Sequence, residues 1–119
     1  MVDFVQLQRI VKEIEGNPSV KDVAIVSRSG MHIAGEIPQG AHMETYVAMS
    51  AILLGAAESA TSELHDKLSH IVVQLQEGKL VLAPAGKRAL LVMKAENDAD
   101  PVKLADIAKN YSEQIEKSM

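Results

Sequence analysis

Residues 25–35 read IVSRSGMHIAG. Two short apolar runs, Ile25-Val26 and Met31 to Ala34, flank a polar break of Ser27, Arg28, Ser29 and Gly30. Serine and glycine at such a break are turn formers, and apolar runs of this length on either side are strands. The stretch is therefore a β-hairpin, with strands at about Val20 to Val26 and Met31 to Gly35. It commits the domain to an antiparallel sheet. It also gathers two serines, an arginine and a histidine, so the same residues have to be weighed as chemistry.

Outward from the hairpin, the pattern alternates between two periods. Upstream, Phe4, Leu7, Val11 and Ile14 recur at helical spacing from about Val2 to Glu15, with Asp3 as a cap and Gly16-Asn17-Pro18 as a stop. Downstream, Pro38-Gln39-Gly40 breaks the chain before a long helix from about His42 to Asp66. Three further strands follow, at Ser69 to Gln76, Lys79 to Ala83 and Arg88 to Ala95, joined by Glu77-Gly78 and by Pro84-Ala85-Gly86-Lys87. A last helix opens with Asp100 as cap and Pro101 in its first turn, and carries Leu104, Ile107, Ala108, Tyr111 and Ile115 on one stripe. The order α-β-β-α-β-β-β-α defines an α+β domain with helices packed on the faces of a mainly antiparallel sheet. Residues 1–119 form a single domain, without repeat or linker.

Composition narrows the function. A chain of 119 residues, 47% hydrophobic and 24% charged, is an ordinary globular mix. The net charge of −4 argues against nucleic acid, which calls for a basic face, and the aromatics Phe4, Tyr46 and Tyr111 are too few to stack bases. With no cysteine, there is neither disulfide nor thiolate metal site. The apolar run Ala51 to Ala57 is far short of the ~20 residues that span a bilayer. A soluble, cytoplasmic protein without membrane insertion is expected.

Motifs for catalysis are weak. A phosphate loop needs glycine where Val81 stands and a hydroxyl where Arg88 stands. His65 and His70 are five apart and straddle a helix–strand junction, so neither they nor His32 and His42 suggest a metal. Ser27, Ser29 and His32 do not form a nucleophile elbow, and the turn accounts for them. Arg28, at the turn tip, reads as solvated. No catalytic residue, metal or cofactor is expected.

The informative segment is the second helix, METYVAMSAILLGAAESATSEL, residues 43–64. Tyr46, Met49, Leu53, Ala57, Ala60 and Leu64 recur three or four apart and are expected to cover the sheet. The opposite side is not charged, as on an ordinary surface helix; it holds Ala48, Ala51, Ile52, Gly55 and Ser59. Val47 and Leu54 flank the core face. A short chain with two other amphipathic helices can hardly cover both sides of this one, which points to burial by a second protein. The strand SHIVVQLQ has no charge or proline; at a sheet edge it would offer unpaired backbone, which a twin across a two-fold axis could satisfy.

The element order, the VSRSGMHIAG hairpin, the Ala-rich second helix and the stretch GKLVLAPAGKRALLVMKA resemble the Roadblock / dynein light chain domain family, over about Val2 to Lys117. One departure is the loop Asn97-Asp98-Ala99-Asp100-Pro101, where family members often carry Asn-Leu-Gly. The resemblance implies a profilin-like fold, a five-stranded antiparallel sheet with the second helix on one face and the terminal helices on the other. It implies a homodimer in which third strands pair and second helices lie side by side as a platform. Prokaryotic relatives of this kind act on Ras-like small GTPases as activating or regulatory partners, reshaping the GTPase's own site rather than inserting an arginine. On that basis Val47, Ala51, Leu54, Gly55 and Glu58, with His70, Val72 and Gln74, are expected at the dimer seam. Glu44, Ala48, Ser59 and Ser62 are expected on the partner-binding platform. The chain stops just after the third helix, so no extension is expected to add a contact. The alternatives are a scaffold or adaptor subunit of a motor or trafficking complex, and a small-molecule sensor domain.

Overall fold

The computed structural model describes residues 1–119. Its elements are α1 (Phe4–Glu15), β1 (Val20–Ser27), β2 (His32–Gly35), α2 (Met43–Ser62), β3 (Ile71–Leu75), β4 (Gly78–Pro84), β5 (Ala89–Ala95) and α3 (Pro101–Ser118). The strands form one sheet in the order β2-β1-β5-β4-β3, with every neighbouring pair antiparallel. Local hairpins supply β1–β2, β3–β4 and β4–β5. The pairing of β1 with β5 closes the centre, from Val20 opposite Ala95 to Ser27 opposite Ala89.

The two central strands are apolar on both faces because both faces are covered. Val23, Ile25, Leu91 and Met93 point to α1 and α3, while Ala24, Val26, Leu90 and Val92 point to α2. On the first side Leu7, Ile10, Val11 and Ile14 of α1 and Leu104, Ala108 and Ile115 of α3 fill the larger core. Phe4, expected on that stripe, is 58% exposed, and Ile10 takes the buried position instead. Leu7, Ile10, Val11 and Ile14 recur at the helical period, whereas Phe4 stands in the first turn of α1. Asp3 caps α1 by accepting the Gln6 amide at 3.1 Å, and Asp100 caps α3 by accepting that of Val102 at 2.9 Å.

The helices do not cover the sheet evenly. α1 lies over β1 and β2, and α3 over β4 with a lean toward β5. α3 runs the length of β4: Lys79 Nζ reaches the Ala99 carbonyl at one end, and Glu116 accepts the Lys87 amide at the other. β3 is an edge strand with little helix above it. The opposite edge, β2, is only four residues long, has a register slip against β1 between Ile25 and Val26, and is followed by Pro38. Those features blunt an edge; β3, with the sequence IVVQL, has none of them.

Candidate interaction surface

The surface is built on α2. His42 caps this helix through its Nδ1, which accepts from the Thr45 amide at 3.4 Å. The chain leaves it through His65, whose φ of 57° is in the left-handed region. Its regular part ends at Ser62, four residues before the sequence reading, because that reversal stops the hydrogen-bond ladder.

The rotation of α2 corrects the sequence reading. Val47, Ala51 and Leu54 are 2%, 9% and 0% exposed, packed with Leu82, Leu90 and Val92 of the chain's own sheet. They are core, and a dimer seam cannot use them. Of the stripe expected to cover the sheet, Met49, Leu53 and Leu64 face outward, 53%, 41% and 73% exposed, while Tyr46 packs against this core and Ala57 is half-buried. Both sets recur at helical spacing, and residues 46–61 carry only one charge to mark the wet side, Glu58. The buried Ser50, whose Oγ donates to the Tyr46 carbonyl at 2.7 Å, disguised the true inner face as polar.

The two flanks of α2 differ. On one, the β1–β2 turn presses in: Gly30 has φ +90°, and a Cβ there would stand 3.1 Å from the Ala48 Cα. Ala48 is half-buried beneath it, and Glu44, Gly55, Ser59 and Ser62 continue the same flank in the open. Nothing lies within 4 Å of where a Gly55 Cβ would be. Leu53 lies about 200° around the axis from Ala51, on the other flank, at ~100° per residue. Tyr46, Ala57 and Ala60 share that side, and Tyr46 packs against the same core as the β3 residues Ile71 and Val73. Both of these are only partly buried against that core.

His70, Val72 and Gln74 occupy the other face of β3. Val72 pairs with Val81, a residue of the α1/α3 core, and is itself 41% exposed. Gln74 is held by its own chain: its Nε2 donates to the Gly78 carbonyl at 3.1 Å and to Asn97 Oδ1 at 2.7 Å. These side chains point away from α2, so the expected grouping of α2 and β3 residues into one patch splits across the sheet.

The hairpin chemistry is internal. Ser27 Oγ lies 2.9 Å from Ser29 Oγ and accepts the Met31 amide at 3.0 Å, while His32 Nε2 meets the Gly35 carbonyl at 2.8 Å. The serines and the histidine are separately engaged. Arg28 is not solvated as expected. It pairs with Glu58 of α2 and donates through Nε to the Ala89 carbonyl at 3.1 Å and through Nη2 to the Gly86 carbonyl at 3.2 Å. That contact also assigns Glu58 to the hairpin side of α2 rather than the β3 side.

Among titratable groups, Tyr46 stands out. Burial, helped by the nearby Asp22 carboxylate, pushes its phenol up to about 12. The surface hollows are open; the one of about 560 Å³ lies on the solvent side of α1 among Val5, Gln8, Arg9, Lys12 and Glu13, far from α2. No three histidine or carboxylate side chains gather as a metal cluster, and no helix is long and apolar enough to cross a membrane.

The chain resembles known proteins in sequence and in fold. It is 28% identical to the Methanocaldococcus jannaschii protein MJ0714 over 88 residues, 73% of this chain and 75% of that one. MglB in a tetrameric arrangement superposes with a TM-score of 0.83 at 18% identity, covering 97% of this chain and 88% of that one. The gliding protein MglB from Thermus thermophilus gives 0.81 at 19%, covering 97% and 89%. The Roadblock/LC7 domain model matches residues 6–95, and the chain belongs to the Roadblock/LC7 domain family.

Proposed function

We propose that the chain is a non-enzymatic homodimeric platform that binds and regulates a Ras-like small GTPase. The observation that carries the reading is the joint exposure, on one side of the molecule, of an unguarded strand edge and an apolar helix flank. β3 offers unpaired amides and carbonyls, and on the α2 side of the sheet Met49, Leu53 and Ala60 are exposed and Ala57 is half-buried. Antiparallel pairing of two β3 strands would satisfy the backbone and bring the two α2 helices together. Full burial of a Leu, Ile or Met contributes ~1.5–3 kcal/mol, so a few such side chains per chain can support a dimer. The tetrameric arrangement of the related MglB lends support to self-association.

With the β3 flank given to the twin, the outward and hairpin flanks of α2 are left for the GTPase. Glu44, Ala48, Gly55, Ser59 and Ser62, with Ile52 at their border, form that proposed contact. The small side chains there let another backbone approach closely. All three arginines are already occupied: Arg9 with Glu13, Arg28 with Glu58 and Arg88 with Glu116. That supports regulation by shaping the GTPase's own site rather than by lending a guanidinium to its transition state.

Two measurements test the reading. Light scattering should give twice the chain mass, and the purified protein should alter GTP hydrolysis or nucleotide exchange by a Ras-like GTPase from the same organism. A monomer at high concentration removes the platform. A dimer that binds the GTPase without changing either rate leaves the scaffold role.

A further inference from the structure

Within one chain, α1 and α3 run antiparallel and leave a wedge between them at one end. Gln6 and Arg9 of α1 meet Gln114 of α3, and Glu13 meets Tyr111. α1 stops at Glu15, while α3 continues past Ile107 to its start at Pro101. The wedge is an open groove of about 460 Å³. Its floor is apolar: Ile14 is 1% exposed, and Ile107 and Tyr111 pack against the same core. Its rim carries the carboxamides of Asn17, Asn110 and Gln114. The groove is complete in a single chain and does not depend on the dimer or on the α2 platform.

The hydrogen bonding of that rim is one-sided. Asn17 Oδ1 accepts from the Ser19 amide at 3.0 Å and from Ser19 Oγ at 2.8 Å. Gln114 Oε1 accepts from Arg9 Nη2 at 2.9 Å and from Gln6 Nε2 at 3.4 Å. A backbone amide and a guanidinium can only donate, so these contacts fix which end of each carboxamide is the oxygen. Both NH2 groups are left without an acceptor in the chain. The exposed Asn110 side chain makes no bond within the chain and adds a third. The one carboxylate on the rim, Glu13, is already engaged by the Tyr111 hydroxyl at 2.7 Å and by Arg9. Free N–H donors therefore outnumber free acceptors around an apolar floor.

A ligand that matches has carbonyl oxygens, an apolar body and no N–H of its own. A polypeptide of that character is rich in proline, since each proline offers a carbonyl and lacks the N–H. An ordinary peptide would bring one N–H per residue, with few groups on the rim to receive it. We infer that the groove between α1 and α3 binds a proline-rich segment of a partner protein. The dimensions agree. Ile107 to Gln114 covers ~10 Å of helix, and polyproline II rises ~3.1 Å per residue, so about three residues lie in contact. Such a segment is already extended when free, so little order is lost on docking. Its rings would rest on Ile14, Ile107 and the Tyr111 ring, and its carbonyls would accept from Asn17 and Gln114.

The test uses the full chain and a fluorescein-labelled decaproline peptide, read by fluorescence anisotropy. Saturable binding at one peptide per chain is expected, with a glycine–serine decamer binding at least tenfold more weakly. N17D with Q114E keeps the oxygens that hold Ser19 and Arg9 and removes both donors. Decaproline should then bind at least tenfold more weakly, with the circular-dichroism spectrum unchanged. Asn110→Leu, on the exposed rim, breaks no contact within the chain and should weaken binding at least threefold. Failure of the native chain to bind decaproline, equal binding of the two peptides, or undiminished binding by both variants overturns the groove. None of these outcomes bears on the α2 platform, whose own tests are mass and GTPase turnover.

Discussion

Arg28, at the tip of the first hairpin, is ion-paired to Glu58 on α2 and also holds the Gly86 and Ala89 carbonyls of the β4–β5 turn. One side chain thus ties three separate pieces of chain. The pair is partly shielded, with side-chain exposures of 28% and 35%.

Arg28→Ala should therefore cost more than the ion pair alone. Removing it leaves a half-buried carboxylate and the Gly86 carbonyl without their donor, while the Ala89 carbonyl keeps the Ala85 amide at 3.0 Å, an expected loss of about 2 kcal/mol. Glu58→Gln keeps a hydrogen-bond acceptor and the carbonyl contacts and should cost under ~1 kcal/mol. Urea unfolding of both variants checks the order; equal losses would mean that the carbonyl contacts contribute nothing.

Two glycines should respond in opposite directions. Gly30 has φ +90°, and a methyl group added there would stand only 3.1 Å from the Ala48 backbone, so Gly30→Ala should destabilise by about 2 kcal/mol. Gly55 sits in the helix interior beside open space, so Gly55→Ala should stabilise the chain by ~1 kcal/mol. Thermal melts of the pair separate these outcomes.

Two adjacent leucines on α2 should separate assembly from folding. Leu53→Glu puts a charge on the half-exposed β3 flank and is expected to give a folded monomer. Leu54→Glu buries a charge at a site that is 0% exposed and should unfold the chain. Sedimentation velocity with circular dichroism reads both; a dimeric L53E would move the seam elsewhere.

Alkaline pH should weaken the fold through Tyr46. Its phenol holds its proton up to about 12 in the folded chain, against an ordinary value of 10.0. Between those values the unfolded state has lost a proton that the folded state keeps, so stability falls as pH rises through the window. The loss is absent below pH 10 and should be smaller in Tyr46→Phe. Denaturant melts across the window check this, and identical alkaline profiles for the two proteins would rule it out.

Much of the fold was legible because its signals are local. Asp3 and Asp100 mark helix starts, Gly78 and the Ser-Arg-Ser-Gly turn mark hairpins, and the doubly apolar Ala89–Met93 run marks a strand covered on both faces. The rotation of α2 was not legible. A helix is phased by the contrast between its wet and dry sides, and here alanine, leucine and methionine occur on both while Ser50 is buried. The same lack of contrast hid which apolar flank stays exposed, since Met49 and Leu53 have the composition of a core. The split of β3 across the sheet needed the register with β4, which fixes the side of Val72.

The central pairing of β1 with β5 has a kinetic consequence. Val23 meets Met93, 70 positions later, so the middle of the sheet cannot form until the two ends of the chain find each other. Such distant closure slows folding relative to a helical bundle of this size. α2 lies within that loop and anchors to the completed sheet mainly through Val47, Ala51 and Leu54. Its amides should exchange with deuterium sooner than those of β1 and β5, and a bound partner should slow them selectively.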